Sequence, residues 1–118
     1  MATKPPRISE QWVYDGTLPD GRVQLDSTAW FAWLAAATTT RFSYPLFDPQ
    51  VGYIVGFMTV RKEQRQRGSA YWVAYRRVAG QVRKGYLGCS AAVTAQQLQA
   101  MANRLHGKEV VGPEQART

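Results

Sequence analysis

Residues 61–84 read RKEQRQRGSAYWVAYRRVAGQVRK, and this stretch carries the strongest signals for both fold and charge. It contains eight cations and one anion, a net charge of +7 that equals the net charge of the whole 118-residue chain. The rest of the chain therefore has a net charge of zero. A positive charge concentrated beside aromatic side chains is typical of a surface that binds a polyanion. A hairpin edge protected by Lys and Arg is the plainer alternative, although such edges usually mix both signs of charge.

The same stretch predicts a β-hairpin. Residues 70–78 and 81–88 are rich in aromatic and β-branched side chains, and the Ala79-Gly80 pair between them suits a tight turn. If Val78 faces Gln81, alternation separates the side chains into two faces. One face holds Tyr71, Val73, Tyr75, Arg77, Val82, Lys84 and Tyr86, and the other holds Trp72, Ala74, Arg76, Val78, Arg83 and Leu87. Because cations lie on both faces, the pattern does not decide which face packs against the core. We favour the face with Trp72 as the buried one and the face with the tyrosines as the exposed one.

Towards the N-terminus, the sequence predicts a tryptophan-rich helix followed by a second hairpin. Asp26 or Ser27 can cap a helix over residues 27–37, whose Trp30 and Trp33 point to heavy burial. Strands over residues 41–47 and 53–65 then flank a turn that begins at Asp48. Residues 1–24 are predicted to be an irregular lead-in, within which residues 12–14 could dock as a short extended segment.

A second helix is predicted over residues 95–106. Thr94 and Gln97 form a capping box, and Leu98, Met101 and Leu105 share one helical stripe. The predicted fold is therefore α+β: a three- to five-stranded, mostly antiparallel sheet packed against a C-terminal helix, with an additional Trp-rich N-terminal helix. It forms one domain over residues 25–107, followed by a tail over residues 108–118.

Several functional classes lack their sequence signals. The chain has one histidine and one cysteine, which together do not make a metal site, and it contains no phosphate-loop or nucleophile-elbow motif. We therefore expect no catalysis and no cofactor. The first residues lack the apolar core of a signal peptide, and no apolar run approaches the length of a membrane helix. These features favour a cytoplasmic protein with no membrane partner.

The basic window instead predicts binding of double-stranded DNA in the major groove through a β-sheet. Arginine predominates among its cations, and the guanidinium fork suits both guanine edges and phosphates. The predicted DNA-binding residues are Arg61, Lys62, Arg65, Arg67, Tyr71, Tyr75, Arg76, Arg77, Arg83 and Lys84.

Two alternatives remain open. The first is binding of RNA or single-stranded nucleic acid, because tyrosine rings can stack on bases. The second is a protein-interaction module that recruits a partner through the Trp30/Trp33 helix or through a free strand edge, with the basic window incidental.

Residues 57–105 resemble the amino-terminal arm-binding domains of phage and transposon integrases of the tyrosine recombinase family. The resemblance rests on an aromatic strand at residues 71–75, a tight turn, the run RKGYLG at residues 83–88 and a following helix. It implies a three-stranded sheet that enters the DNA major groove, backed by a helix. It further implies a role as an accessory or transcription-regulating factor of a bacterial mobile element, nucleoid-associated and in complex with other proteins. The recombinase catalytic domain has no counterpart in these residues.

Overall fold

A computed structural model describes residues 6–64 and 68–106 of the chain. They form one sheet, two α-helices and a short 3-10 turn at Ser90–Ala92. In chain order the elements are β1 (Arg7–Ser9), β2 (Trp12–Tyr14), β3 (Arg22–Gln24), α1 (Thr28–Ala35), β4 (Arg41–Asp48), β5 (Tyr53–Gln64), β6 (Ala70–Val78), β7 (Gln81–Gly88) and α2 (Ala95–Leu105).

The sheet has seven strands in the order β3-β2-β1-β4-β5-β6-β7. Neighbouring strands are antiparallel except β1 and β4, which are parallel, so the sheet is mixed. The predicted three- to five-stranded sheet is therefore wrong. The missed strands lie in residues 7–24, where each strand is three residues long and too short to show alternation. The prediction that residues 12–14 are extended is confirmed, because they form β2.

Both helices pack on one side of this sheet, where the core lies. Trp30 of α1 is fully buried, stacks on Trp33 and meets the edge of Phe42 in β4. Its indole nitrogen donates a hydrogen bond of 2.8 Å to the carbonyl of Val93, which ties α1 to the segment before α2. The other large buried side chains on this side come from both layers. They include Leu34, Met58, Val60, Trp72, Leu98, Met101 and Leu105.

Trp33 also contacts a buried carboxylate, that of Asp15. Its indole nitrogen donates to Asp15 at 2.9 Å, and Thr17 donates to Asp15 through both its backbone nitrogen and its hydroxyl. Burial acts to raise the pKa of Asp15, but these hydrogen bonds outweigh it and the pKa is lowered. Because Trp30 and Trp33 are both buried, their rings are not available to recruit a partner.

The local capping signals are confirmed. Ser27 accepts a hydrogen bond from the backbone of Trp30, and Thr94 accepts one from Gln97. Asp26, the other candidate cap for α1, instead accepts a bond from the backbone nitrogen of Ala95 at the start of α2. The Ala79-Gly80 turn has positive φ at both residues, as a two-residue hairpin requires.

Candidate nucleic-acid interface

The side of the sheet opposite the helices carries a row of polar side chains that crosses all seven strands. Residues paired directly across neighbouring strands share a face, and the pairing links β3 to β7 without a gap. In strand order this polar row consists of Arg22, Tyr14, Arg7, Ser43, Thr59, Tyr75 and Lys84. Six steps between strands give it a length of about 29 Å. We call this side of the sheet the open face.

A second row on the open face adds two more arginines. Arg41 pairs with Arg61, which pairs with Val73, which pairs with Tyr86. Val73 is almost fully buried although, among the described residues, α1 and α2 both pack on the opposite side. The long polar and aromatic side chains around it therefore form a layer of their own over the sheet.

Glu63 organises the tyrosines in that layer. The hydroxyls of Tyr75 and Tyr71 both donate to its carboxylate. The bond from Tyr75, followed by the nearby charges of Lys84 and Arg61, lowers the pKa of Glu63, and the same bond raises the pKa of Tyr75. Lys84 and Arg61 also lie 5.8 and 5.9 Å from the centre of the Tyr75 ring. The carboxylate thus fixes the rings, and the two cations flank one of them.

The open face is strongly basic. Within the strands that the structure describes, its outward residues include six cations and a single carboxylate, Glu63. All six cations are exposed to solvent: Arg7, Arg22, Arg41, Arg61, Arg77 and Lys84. A broad surface of exposed, spaced donors fits a polyanion better than a small ligand, which needs a concave site.

Half of the ten predicted binding residues lie on this face. They are Arg61, Tyr71, Tyr75, Arg77 and Lys84. Arg65 and Arg67 lie outside the described residues. The remaining three, Lys62, Arg76 and Arg83, point to the helix side. The cations of the β6–β7 hairpin are therefore divided between the two faces, as the predicted register has them, and three of the predicted binding residues do not lie on the open face.

The three helix-side cations contact the C-terminal ends of helices. Lys62 donates to the carbonyl of Ala36 at 2.9 Å, just after α1. Arg76 donates to the carbonyl of Ala102 at 2.7 Å, and Arg83 to that of Leu105 at 3.3 Å, both in α2. The carbonyl end of a helix is partly negative, so a cation there stabilises the helix. Burial lowers the pKa of Lys62 and of Arg76. These residues support the packing of the helices and do not lie on the open face.

Three cations of the open face are missing from the predicted binding residues. Arg7, Arg22 and Arg41 lie far from the basic window in sequence, yet pairing brings them onto the open face beside it. Arg22 also lies 4.0 Å from the centre of the Trp12 ring. One signal was visible: each of Arg7 and Arg22 lies one residue from the apolar side chain of its short strand, which places it on the outer face.

No family model matches the chain, and neither the curated proteins nor the solved structures that were compared with it include a match. The integrase resemblance therefore rests on the quoted motifs alone. In the described part of the chain, no helix is long and apolar enough to cross a membrane. No group of three or more metal-ligating side chains occurs among the described residues either.

Neighbouring arginines on β6 provide a direct test of the two roles. We expect Arg76→Ala to lower the free energy of unfolding by about 1–2 kcal/mol, because it removes a charge-assisted bond at the end of α2. Arg77→Ala, which removes an exposed cation, should change stability by less than about 0.5 kcal/mol. Urea unfolding of both variants measures this difference. Equal stability losses would contradict the assignment of the two side chains to opposite faces.

Proposed function

We propose that this protein binds double-stranded DNA, without catalysis, through the open face of its sheet. The observation that carries the proposal is the polar row together with the six exposed cations of the open face, on the side of the sheet opposite α1 and α2. Exposed Arg and Lys side chains at strand spacing can each contact a separate phosphate.

The width of the sheet limits how it can meet a duplex. The major groove is about 12 Å wide and admits a two-stranded ribbon, whereas the polar row is more than twice as long. The β6–β7 hairpin, at the edge of the sheet, is therefore the part that enters the groove. It presents Arg77, Lys84 and Tyr75. The guanidinium fork of Arg77 there contacts a guanine edge and provides sequence preference.

The cations of the other strands then lie over the neighbouring phosphate backbone. Arg61 and Arg41 are one and two strands away from β6, and Arg7 and Arg22 are farther along the same face. Contacts of this kind fix the register of the protein on the duplex and contribute affinity that does not depend on sequence.

Binding of single-stranded nucleic acid is the second candidate. It is favoured by the Tyr71 and Tyr86 rings, whose centres lie 5.5 Å apart on the open face, with Tyr86 more than half exposed. Bases stack on such rings without regard to sequence. We rank it below duplex binding because Tyr71 and Tyr75 are half-buried and held by Glu63.

A salt titration with three ligands tests the proposal. If most of the six cations contact phosphates, the logarithm of the association constant for duplex DNA should fall with the logarithm of salt concentration with a slope of about −5. Fluorescence anisotropy with a duplex, a single strand and a structured RNA measures both slope and preference. Tighter binding to the single strand or the RNA would select the second candidate. Affinity that does not depend on salt for any ligand would contradict both.

Selection of bound sequences from a random duplex pool then reports sequence preference and site length. By analogy with the integrase domains, the role that we propose is that of an accessory or regulatory factor of a mobile element, acting at the nucleoid in the cytoplasm with other proteins of a complex.

A further inference from the structure

The hairpin of β4 and β5 ends in an apolar arm that the DNA-binding proposal does not use. We define the hairpin arm as residues 47–57. Its large side chains are 48–63% exposed, an unusual density for one short segment. They are Phe47, Val51, Tyr53, Ile54, Val55 and Phe57.

The arm also has an unpaired edge. Along β5, pairing with β4 runs from Tyr53 to Arg61, whereas pairing with β6 begins only at Thr59. Among the described residues, the main chain of residues 53–58 therefore has no strand partner on the β6 side. A bare strand edge of this kind is a template for a further strand. The pairing of Phe47 with Ile54 and of Pro45 with Phe57 places apolar side chains on the open-face side of that edge.

We propose that a second copy of this chain covers the arm, with the two β5 edges pairing antiparallel across a two-fold axis. A strand edge is self-complementary under such an axis, so no other partner is needed to satisfy its backbone groups. The axis runs perpendicular to the sheet, because antiparallel pairing of two identical edges keeps the same face on the same side.

Charge favours association at the arm over any other part of the sheet. Residues 42–60 contain no Lys or Arg and only one charged residue, Asp48, in a chain of net charge +7. Two copies repel each other across their basic faces and can approach closely only through a neutral segment. The arm also lacks the charge that would steer it towards an unlike, charged partner.

The apolar area at the β5 edge corresponds to a small interface. The four arm side chains on β5, Tyr53, Ile54, Val55 and Phe57, leave about 400 Å² of surface per copy, with large side chains taken at about 150–250 Å² each. Two copies would bury about 800 Å² of this surface in total, and the backbone hydrogen bonds of the paired edges add to it. The pairing also places both open faces on one side of a continuous sheet. If the proposed function holds, that dimer reads two symmetric half-sites.

Measurement of the mass in solution tests the dimer without any DNA, so its outcome is independent of the proposed function. Sedimentation equilibrium of the full chain should give twice 13.2 kDa. Ile54→Lys, at an exposed arm position, should raise the dimer dissociation constant at least about 100-fold, because it places two like charges across the axis. Val82→Lys is the matched control, since Val82 is equally exposed but lies on β7. It should leave the dimer intact.

Cysteine scanning tests the edge pairing itself. Cys89 is exposed, so the scan uses a Cys89→Ser background with one cysteine at a time at residues 53–57. Residues opposite each other across antiparallel strands lie within disulfide range, so crosslinking should peak at one position. A mass of 13.2 kDa up to about 100 µM, equal effects of Ile54→Lys and Val82→Lys, or no crosslinking peak would each overturn the proposal. If the chain is a monomer and Ile54→Lys weakens duplex binding, the arm contacts DNA instead.

Discussion

Replacement of Arg61, Arg77 and Lys84 together by alanine should lower the affinity for duplex DNA at least about 100-fold at moderate salt, since each removed cation deletes one charge-assisted contact to a phosphate or to a base edge. The three side chains are exposed on the β5–β7 part of the open face. The slope of the salt dependence should become shallower by about 2 × 0.9, for the phosphate contacts of Arg61 and Lys84. Urea unfolding should show little change, because none of the three is buried.

A charge-matched control separates this effect from the loss of net charge. Gln96, Ala100 and Arg104 are exposed positions of α2, on the other side of the molecule. Gln96→Glu, Ala100→Glu and Arg104→Ala together also lower the net charge by three. This control should reduce affinity less than about fivefold, through long-range repulsion alone. Equal losses in the two triple variants would contradict the assignment of the open face as the interface.

The second large effect concerns the core. We expect Trp30→Ala to lower the free energy of unfolding by about 3–5 kcal/mol, the cost of a large cavity in a packed core. The change also leaves the carbonyl of Val93 without its donor and removes the ring that packs on Trp33 and Phe42. Since domains of this size are stable by about 5–15 kcal/mol in total, much of that margin is lost.

Two further variants, one at Trp30 and one at the next residue, test whether the loss of stability comes from the buried indole ring. Trp30→Phe keeps an aromatic ring and removes only the indole donor, so it should destabilise by an intermediate amount. Phe31→Ala, at the next and partly buried position, should cost clearly less than Trp30→Ala. Equilibrium unfolding in urea gives all three values. A loss below about 2 kcal/mol for Trp30→Ala would contradict the central position of this side chain.

The middle of the fold was predictable because its signals are local. The register of the β6–β7 hairpin follows from a two-residue turn and from alternation, and Val78 does face Gln81. Trp72 and Ala74 are buried, as favoured from their residue types. The start of α2 follows from a cap within four residues. The number of strands was underestimated because three of them are only three residues long, too short to show alternation of apolar and polar side chains.

The candidate site could be predicted only in part, for a physical reason visible at two neighbouring residues. Arg76 and Arg77 are adjacent residues of the same type, yet alternation along the strand directs Arg76 to the end of α2 and Arg77 to solvent. The pattern separates them, and the residue types favour the Trp72 face as the buried one, but the pattern does not show that Arg76 reaches a helix end on that face. That depends on where α1 and α2 pack.

Local chemistry in the sequence alone thus determined the hairpins, the helix starts and the excess of cations. Tertiary structure decided which of those cations are free to bind. It recruits Lys62, Arg76 and Arg83 to helix ends, and it adds Arg7, Arg22 and Arg41 to the open face by pairing strands far apart in the chain. Such pairings depend on burial across the whole sheet, an interaction between distant segments that no short window of sequence contains.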